Sequence, residues 1–503
     1  MNKKILILLV SLVLLGSSCS KFLGVDEVNP NTASAVAPKL LLPAALNNLV
    51  LVMDNPRYFD FCYLWYGAWS ISSGYAQDPV FVQYSLYNTS FQASWSLFYP
   101  IGENFTVMQN AATDPNDASY VAIAMIMKAY IMQNLVDIWG NVPYSQAFGA
   151  TSGILKPKYD DQKKIYEDLE VKLTAAIKII QGLTPNANAV PTSSDVMFGG
   201  NMTLWAQFAN TLKLRLLVHQ SGMSGRASYI TTCIDSTAST GYLGAGQGAM
   251  VNPGYWASTN EMSPFYQTFY TASGTPTSDG VTYFYAGKDA VDFMIANNDP
   301  RLSHYFNAPA GGGAFAGNYV GQDPTTHPAL DPKKTASLGY KATGGQDYMI
   351  GTPTQAAPLL TDFESLFIQA EAAQRGFILA DPGTLYNAAV TQSFANYGLT
   401  SAATAYLAQS NPQVNFANAP DPLTLILTQK WVAMNGIAPI ELWTDWRRTG
   451  IPANLHFTEN SNKANATPPV RLLYPQTEIA SNNDNLVAVG TINAFTSKIF
   501  WQP

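Results

Sequence analysis

Six segments of the chain repeat apolar residues at steps of three and four, the spacing that gathers side chains on one face of an α-helix. They are "DASYVAIAMIMKAYIMQNLVDIW", "YDDQKKIYEDLEVKLTAAIKIIQGL", "TLWAQFANTLKLRLLVHQSG", "DFESLFIQAEAAQRG", "LYNAAVTQSFANYG" and "PLTLILTQKWVAMNG". Amphipathic helices in this number, joined by short turns, predict a mainly α-helical scaffold of helix pairs. We expect this scaffold over residues of about 38–220 and 361–450.

The second segment shows how the pattern is built. It begins at Asp160 and Asp161, residues that favour a helix N-terminus. Its apolar stripe consists of Ile165, Leu169, Leu173, Ile177 and Ile180. No clean self-similarity at 34 residues is visible, so periodicity alone indicates helix pairs without identifying the repeat.

The character of the sequence changes between residues 221 and 360. Glycine, threonine, proline and tyrosine dominate stretches such as "AGQGAMVNPGYWAST" and "NAPAGGGAFAGNY". We predict a loop-rich insert here, and long irregular segments of compact proteins commonly carry function. Residues 451–503 are predicted to form an irregular C-terminal segment of the same single body, 38–503.

The N-terminus has the organisation of an export signal. Two lysines precede a run of eleven apolar or small residues, Ile5–Leu15, which is shorter than the roughly 20 residues that cross a bilayer. Cys19 directly follows small residues, and the stretch resembles a bacterial lipoprotein signal, although Gly16 replaces the usual branched apolar residue. We predict a signal peptide over 1–18, lipidation of Cys19 and an N-terminal tether over 19–37. An ordinary secretory peptide is the alternative.

Charge and cysteine content exclude some classes of protein. The 503 residues carry a formal charge of −7, and only 12% of them are charged. An acidic chain without basic clusters is a poor nucleic-acid binder, because phosphate neutralisation dominates that affinity. Cys62 and Cys233 belong to no paired-cysteine motif, and we expect both to be buried free thiols rather than metal ligands.

Seven stretches resemble the SusD/RagB family of nutrient-binding outer-membrane lipoproteins, in particular its SusD-like branch, which also shares the "LLLPAALNNL" opening. They are "LVDIWGNVPYSQAF", "PKYDDQKKIYEDL", "LWAQFANTLKLRL", "NNDPRLSHYF", "LFIQAEAAQRG", "QKWVAMNGIAPIELWTDWRRTGIP" and "RLLYPQTE". They occur in family order over nearly the whole mature chain.

The resemblance implies a tetratricopeptide-like helical-pair scaffold with an irregular, loop-rich, ligand-facing lobe. It also implies a lipid-anchored protein of the outer membrane that faces the cell exterior. Such a protein captures an oligosaccharide, or in some relatives a peptide, and delivers it to a SusC-like TonB-dependent transporter. No cofactor is implied.

Sugar binding uses flat aromatic faces for pyranose rings and amides or acids for hydroxyl groups. The stretches "WYGAWSISSGYAQDPVFVQYSLYNTS", "NPGYWASTNEM" and "TYFYAGKD" combine these residue types. About half of such aromatics fill a core instead, which is their commonest use. Our candidate ligand-binding residues are Trp69, Tyr75, Gln77, Tyr84, Tyr87, Tyr255, Trp256 and Tyr283. We expect Trp69, Tyr75 and Tyr84 to be exposed near Trp256 on one concave surface.

The motif "ELWTDWRRTG" is interpreted as structural. We expect Trp443 and Trp446 to lie in the core, and the two arginines that follow to pair with carboxylates or helix ends. Glu371 and Arg215 lie within apolar helical faces, and we interpret them as a satisfied internal pair.

Signals for catalysis are weak. The four histidines lack metal-ligand spacing, and the sequence has no GxSxG or HExxH motif, so we predict neither a metal site nor an enzyme. Two alternatives remain. One is a surface glycoside hydrolase on a helical scaffold, since two placed carboxylates suffice for that chemistry. The other is a helical-repeat scaffold that binds only proteins.

Overall fold

The fold was analysed in a computed structural model, which describes residues 36–72, 78–149, 152–184, 186–309, 318–324, 335–341 and 345–503. These residues contain eighteen α-helices. The helices are α1 (Pro38–Met53), α2 (Asp60–Trp65), α3 (Pro79–Val82), α4 (Gln92–Ala111), α5 (Ala118–Trp139), α6 (Gln162–Gln181), α7 (Met202–His219), α8 (Ala227–Asp235), α9 (Pro264–Phe269), α10 (Lys288–Ala296), α11 (Leu302–Tyr305), α12 (Asp362–Gln374), α13 (Pro382–Ala395), α14 (Thr400–Leu407), α15 (Pro422–Ala433), α16 (Pro439–Thr449), α17 (Gln476–Ser481) and α18 (Asn483–Val487). The mainly α-helical prediction is confirmed, and all six periodic segments form helices.

Eight short strands form three small sheets among the described residues. The strands are β1 (Trp69–Ile71), β2 (Val142–Pro143), β3 (Tyr159–Asp160), β4 (Ala249–Val251), β5 (Phe284–Ala286), β6 (Phe306–Asn307), β7 (Ser337–Leu338) and β8 (Ala357–Leu360). One sheet has the order β1-β5-β7-β6, and the pairs β2–β3 and β4–β8 stand alone. All pairs are antiparallel, and Trp69 lies opposite Ala286 in the first sheet.

The long helices pack consecutively along the chain. Helix α5 lies between α4 and α6, α6 packs on α7, and α7 in turn contacts α12. Helix α12 then packs on α13 and α15. The helices after residue 361 therefore extend the layer begun before residue 220, with the intervening segment inserted between them in sequence.

Helix α5 is the central core helix. Eighteen of its 22 residues are buried, because apolar side chains occur all around it. By length and composition the helical stretch 115–139 could cross a membrane, but 83% of its most apolar window is buried inside the protein. The helix ends at Gly140, whose φ of +75° places it in the left-handed region that favours glycine.

Helix α6 confirms the predicted stripe. Its five predicted residues are all buried, and the Asp161 side chain caps the helix by accepting a hydrogen bond from the Lys164 backbone N–H at 3.0 Å. Among the described residues between 221 and 360 the helices are short, and the longest of them, α8 and α10, have nine residues each. The boundaries assigned to the insert and the tether stay predictions.

The motif at residues 441–450 packs as predicted. Trp443 is fully buried, and Trp446 is half-buried. Arg447 donates hydrogen bonds to the backbone oxygens of Asp137, at the end of α5, and Val470, at 2.6 and 3.0 Å. The C-terminal segment therefore closes over the helical core.

The prediction that Glu371 pairs with Arg215 is wrong, because each residue has a different partner. Arg448 donates to Glu371 at 2.6 Å, and Arg215 donates to Glu364 at 3.0 Å. Each charge is satisfied, but Arg215 pairs with a carboxylate two turns earlier on α12, and Glu371 pairs with a guanidinium from α16. Cys62 and Cys233 are buried free thiols, as predicted.

Candidate functional site

The ends of several elements converge on one cavity of about 380 Å³, which lies in the range of about 300–1,000 Å³ typical of small-molecule sites. Residues that follow α1, β4, α13 and α15 line it, together with residues on both sides of β8. Its polar lining consists of Asp54, Asn252, Tyr348, Thr354, Gln355, Thr361, Asn396 and Tyr397, and its apolar lining includes Met250, Phe265, Met349 and Pro358.

Asp54 supplies the one carboxyl group that lines this cavity among the described residues. The residue follows α1 directly and is only 6% exposed. It accepts a hydrogen bond from the Phe265 backbone N–H at 3.3 Å, and in the described part of the chain no cation pairs with it. Burial raises the pKa of Asp54 well above its ordinary value of 3.8, outweighing the opposite effect of the Phe265 bond. A protonated carboxyl both donates and accepts, which suits a hydroxyl ligand.

Amide side chains connect the cavity wall to its neighbouring loop. Asn252 follows β4, and its Nδ2 donates to the Thr354 backbone oxygen at 3.3 Å. Its Oδ1 accepts from the backbone N–H groups of Gly254 and Tyr255, at 2.9 and 3.1 Å. This Asx-type turn fixes the start of the loop 252–261 against the cavity.

The same loop presents an aromatic ring to solvent. Trp256 is 68% exposed, and its backbone N–H donates to the Glu261 oxygen at 2.8 Å, which closes the loop. Tyr255 is 8% exposed, and its hydroxyl donates to Oδ1 of Asn47 on α1 at 3.1 Å. Tyr255, predicted to bind ligand, therefore anchors the loop, and Trp256 is its exposed aromatic face.

The prediction that Trp69 is accessible is wrong. The side chain is 1% exposed, and its indole Nε1 donates to Oδ1 of Asn435 at 2.8 Å. Its ring stacks on Tyr63, with centroids 4.2 Å apart, and also contacts Phe265 of α9 and Phe284 of β5. All three residues of β1 are buried, and helices α2 and α10 contact this short strand.

Tyr84 is also a core residue, contrary to its predicted exposure. It is 2% exposed, and its ring contacts the edge of Trp65. Its hydroxyl accepts a hydrogen bond from the Thr458 backbone N–H at 3.2 Å. The C-terminal segment therefore covers this tyrosine, an arrangement that no local sequence pattern reveals.

The four remaining candidate ligand-binding residues differ in exposure, and two of them lie outside the described residues. Tyr87 is 59% exposed, but no ring contact or hydrogen bond joins it to Trp256 among the described residues. Tyr283 is half-buried, and the Arg57 guanidinium lies over its ring at 4.1 Å. Tyr75 and Gln77 lie outside the described residues, so their role stays a prediction.

Sequence reasoning missed the polar residues at element ends. Asp54 occurs in "LVMDNPRY", where an acid between an apolar helix and a proline indicates only a helix boundary. Gln355 and Asn396 likewise occupy connections, and only the tertiary fold brings them to one cavity with Asp54.

A second group of titratable residues lies in the core beneath α15 and α16. His219, Glu441 and Asp445 are close enough together to hold a metal ion. The Lys430 ammonium, however, lies 2.7 Å from Glu441 and 2.8 Å from Asp445. It takes the place that a metal ion would need, and we assign this group to the stability of the core.

The chain folds into a mainly helical body with short strands, and comparison with solved structures gives the same fold. A SusD homolog from Bacteroides fragilis NCTC 9343 matches with a TM-score of 0.75 and 20% identity, covering 93% of this chain and 100% of that chain. A chitin-binding protein matches with a TM-score of 0.74 and 22% identity over the same shares. A SusD homolog from Bacteroides uniformis ATCC 8492 matches with a TM-score of 0.73 and 21% identity, over 92% and 99%.

The family follows from the sequence itself. The SusD-like family model, described as "Starch-binding associating with outer membrane", matches residues 30–475. The chain belongs to this family of outer-membrane nutrient-binding proteins, whose members are generally not catalysts. No curated protein is detectably similar to it.

Proposed function

We propose that this protein is a cell-surface, lipid-anchored receptor that captures an oligosaccharide in the cavity around Asp54. The observation that carries the proposal is a buried carboxyl group that has no cationic partner among the described residues and faces a cavity whose other polar groups are amides and hydroxyls. Leaving such a group buried costs stability unless something compensates for it, and functional sites commonly contain groups of this kind.

The chemistry of the lining favours a carbohydrate ligand. Amides and a protonatable carboxyl can both donate to and accept from sugar hydroxyls. The exposed indole of Trp256 lies four residues beyond Asn252 on the loop that starts at the cavity, and it offers a flat apolar face for a sugar ring. A chitin-binding protein shares this fold, which supports a glycan rather than a peptide as the ligand at this cavity.

The proposal also includes a lipid anchor at the N-terminus and a transporter as the partner protein. Acylation at Cys19 would hold the protein at the outer membrane, because several buried acyl chains give stable anchoring and one does not. The captured glycan would pass to a SusC-like TonB-dependent transporter, as the family relationship suggests. The two partners should co-purify from crosslinked native membranes.

The hydrolase alternative has weaker support. Glycoside hydrolysis generally needs two carboxyl groups on either side of the scissile bond. Asp54 is the single carboxyl residue in the lining of the cavity within the described ranges. The exposed aromatic ring and the polar cavity also favour a small ligand over the protein-only scaffold.

The test begins with a glycan array probed by the full-length protein purified in detergent. The best glycan is then titrated by calorimetry into the wild type, Asp54→Ala and a control, Asp484→Asn, whose side chain lies on the exposed surface of α18. We expect Asp54→Ala to weaken binding by about 1–3 kcal/mol, the cost of losing a hydrogen-bonding partner in a desolvated site. Wild-type affinity in Asp54→Ala, with normal folding, would place the site elsewhere.

A further inference from the structure

A second cavity, of about 470 Å³, lies over the central helix α5 and shares no lining residue with the cavity around Asp54. Helices α4 and α6 form its sides, and the loop 144–148 closes it. Its floor consists of Met125, Ala129 and Met132 of α5 together with Leu169 of α6. This groove therefore offers an apolar surface that none of the proposed glycan contacts uses.

Phe148 forms one wall of the groove with its ring. It has a φ of +61°, in the left-handed region that is unusual for a non-glycine residue. A β-carbon at Gly102 of α4 would lie 2.4 Å from the Phe148 ring, so the glycine lets this ring pack directly on the helix. The aromatic ring of Phe148 and the methionines of the floor together form a surface on which an apolar side chain of a ligand can pack.

Lys128 places a positive charge beside this floor. Its ammonium donates to Oε1 of Gln109 at 2.6 Å, and in the described part of the chain no carboxylate lies within 4.0 Å of it. Burial lowers the pKa of Lys128, and the positive charge of Lys172 lowers it further. The negative charge of Glu103 opposes these effects only in part, and a bound anion would add to that opposition.

Most of the other polar groups in the groove already have partners. The Tyr144 hydroxyl donates to Asp168, and Lys172 lies 3.3 Å from the same carboxylate. The Thr106 hydroxyl donates to the Gly102 oxygen at 3.1 Å. Few groups remain for the many hydroxyls of a sugar, whereas a cation above an apolar floor fits an anion with an apolar neighbour.

We propose that this groove binds a short peptide segment in which a carboxylate stands next to an apolar side chain. The carboxylate pairs with Lys128, with Lys172 at the rim, and the side chain packs on Met125, Met132 and the Phe148 ring. Charge complementarity favours this occupant, because this acidic chain lines the groove with two ammonium groups and one carboxylate, that of Asp168. Glu103, which is not part of the lining, offsets the lowering of the Lys128 pKa only in part. The proposal goes beyond the glycan site and does not depend on it.

The test uses the full-length protein in detergent and three probes, with binding followed by fluorescence anisotropy. The first probe is a fluorescein-labelled tetrapeptide that ends in leucine with a free carboxylate, the second is its carboxamide, and the third is a labelled uronic acid trisaccharide. We expect the carboxylate peptide to bind at least about tenfold more tightly than the carboxamide, because a charge-assisted hydrogen bond contributes this much.

Variants locate the binding on the protein. Lys128→Met keeps the length of the side chain without its charge and should raise the Kd of the carboxylate peptide about tenfold or more. Lys178→Met is the matched control, since Lys178 is exposed on α6 outside the groove, and it should leave the Kd unchanged. Thermal melting confirms that each variant is folded.

Three results would overturn the proposal. Equal binding of the carboxylate and carboxamide peptides by the wild type would exclude recognition of the charge, whatever the variants do. An unchanged Kd in folded Lys128→Met would place the peptide elsewhere. Binding of the uronic acid probe without the peptide would assign the groove to an acidic sugar.

Discussion

Two buried carboxylates, Glu371 and Asp54, are both almost inaccessible to solvent but have different surroundings. Glu371 is fully buried and receives hydrogen bonds from Arg448 at 2.6 Å and Arg375 at 2.8 Å. Asp54 receives one backbone hydrogen bond, and within the described residues it has no cationic partner. Arginine side chains compensate the buried charge of Glu371. For Asp54, a bound ligand would have to supply the missing partner. This difference separates a structural charge from a candidate binding group.

The pKa values of the two groups shift in opposite directions. Burial alone would raise the pKa of Glu371, but the charges of Arg448 and Arg375 outweigh it and lower this pKa to about 2. Burial raises the pKa of Asp54, and only a weak backbone bond opposes it. Compared with an exposed carboxyl group, the fold therefore favours the ionised form at Glu371 and the protonated form at Asp54.

Breaking the compensated pair should have the largest effect. Glu371→Gln leaves the buried guanidinium of Arg448 and the partly exposed guanidinium of Arg375 beside a neutral amide, although Asp445 still pairs with Arg448. We expect the substitution to lower the free energy of unfolding by about 3–5 kcal/mol. The contribution of the ion pair is present above the ordinary pKa of 4.5 and is lost as the pH falls through about 2. Urea denaturation at several pH values measures both effects. A loss below about 1 kcal/mol at neutral pH would mean that the core does not depend on this pair.

A core aromatic should behave in the same way. Trp69→Ala removes a fully packed indole and its hydrogen bond to Asn435, so we expect a loss of about 3–5 kcal/mol in the free energy of unfolding. Thermal or urea unfolding checks this. A normal melting temperature combined with weakened glycan binding would restore Trp69 as a ligand residue.

The exposed aromatic should give the reverse result. Trp256→Ala should leave unfolding nearly unchanged, because the indole is 68% exposed, but should weaken glycan binding by about 2 kcal/mol, or roughly thirtyfold. Leu379→Ala, at another exposed apolar position, is the control for nonspecific surface effects. Calorimetric titration measures the affinity, and an unaltered Kd would remove the loop 252–261 from the site.

The effect that is smallest per pH unit, and accumulates gradually, concerns the ionisation of Asp54. The proton on Asp54 stabilises the folded state fully below pH 3.8, and this contribution is lost as the pH rises through the raised folded-state pKa. Asparagine does not titrate, so Asp54→Asn should gain stability relative to the wild type over that interval, by up to about 1.4 kcal/mol per pH unit. Parallel unfolding curves of the two proteins from pH 4 to 8 measure the gain. A constant difference across this range would show that Asp54 does not carry a raised pKa.

The sequence predicted the scaffold well because helix periodicity and capping are local. The stripe of α6 and the glycine that ends α5 follow from residues only a few positions apart. The division of aromatics between core and surface was not predictable in this way. Trp69 and Tyr84 are buried by partners as distant in sequence as Asn435 and Thr458.

The candidate site was harder still to predict. Asp54, Asn252, Gln355 and Asn396 lie on four different connections, and each has an ordinary local role at the end of a helix or strand. Their convergence is a property of the tertiary fold. Among the predicted ligand residues that the structure describes, Trp256 is the one on an exposed part of the loop that starts at this cavity.

The most direct test of the account is a crystal structure of the protein with the glycan selected by the array. We predict a sugar hydroxyl within about 3.2 Å of the Asp54 carboxyl and a sugar ring lying over the face of Trp256. A glycan bound away from both residues, for example against Tyr87, would contradict the claim that the uncompensated carboxyl marks the binding site.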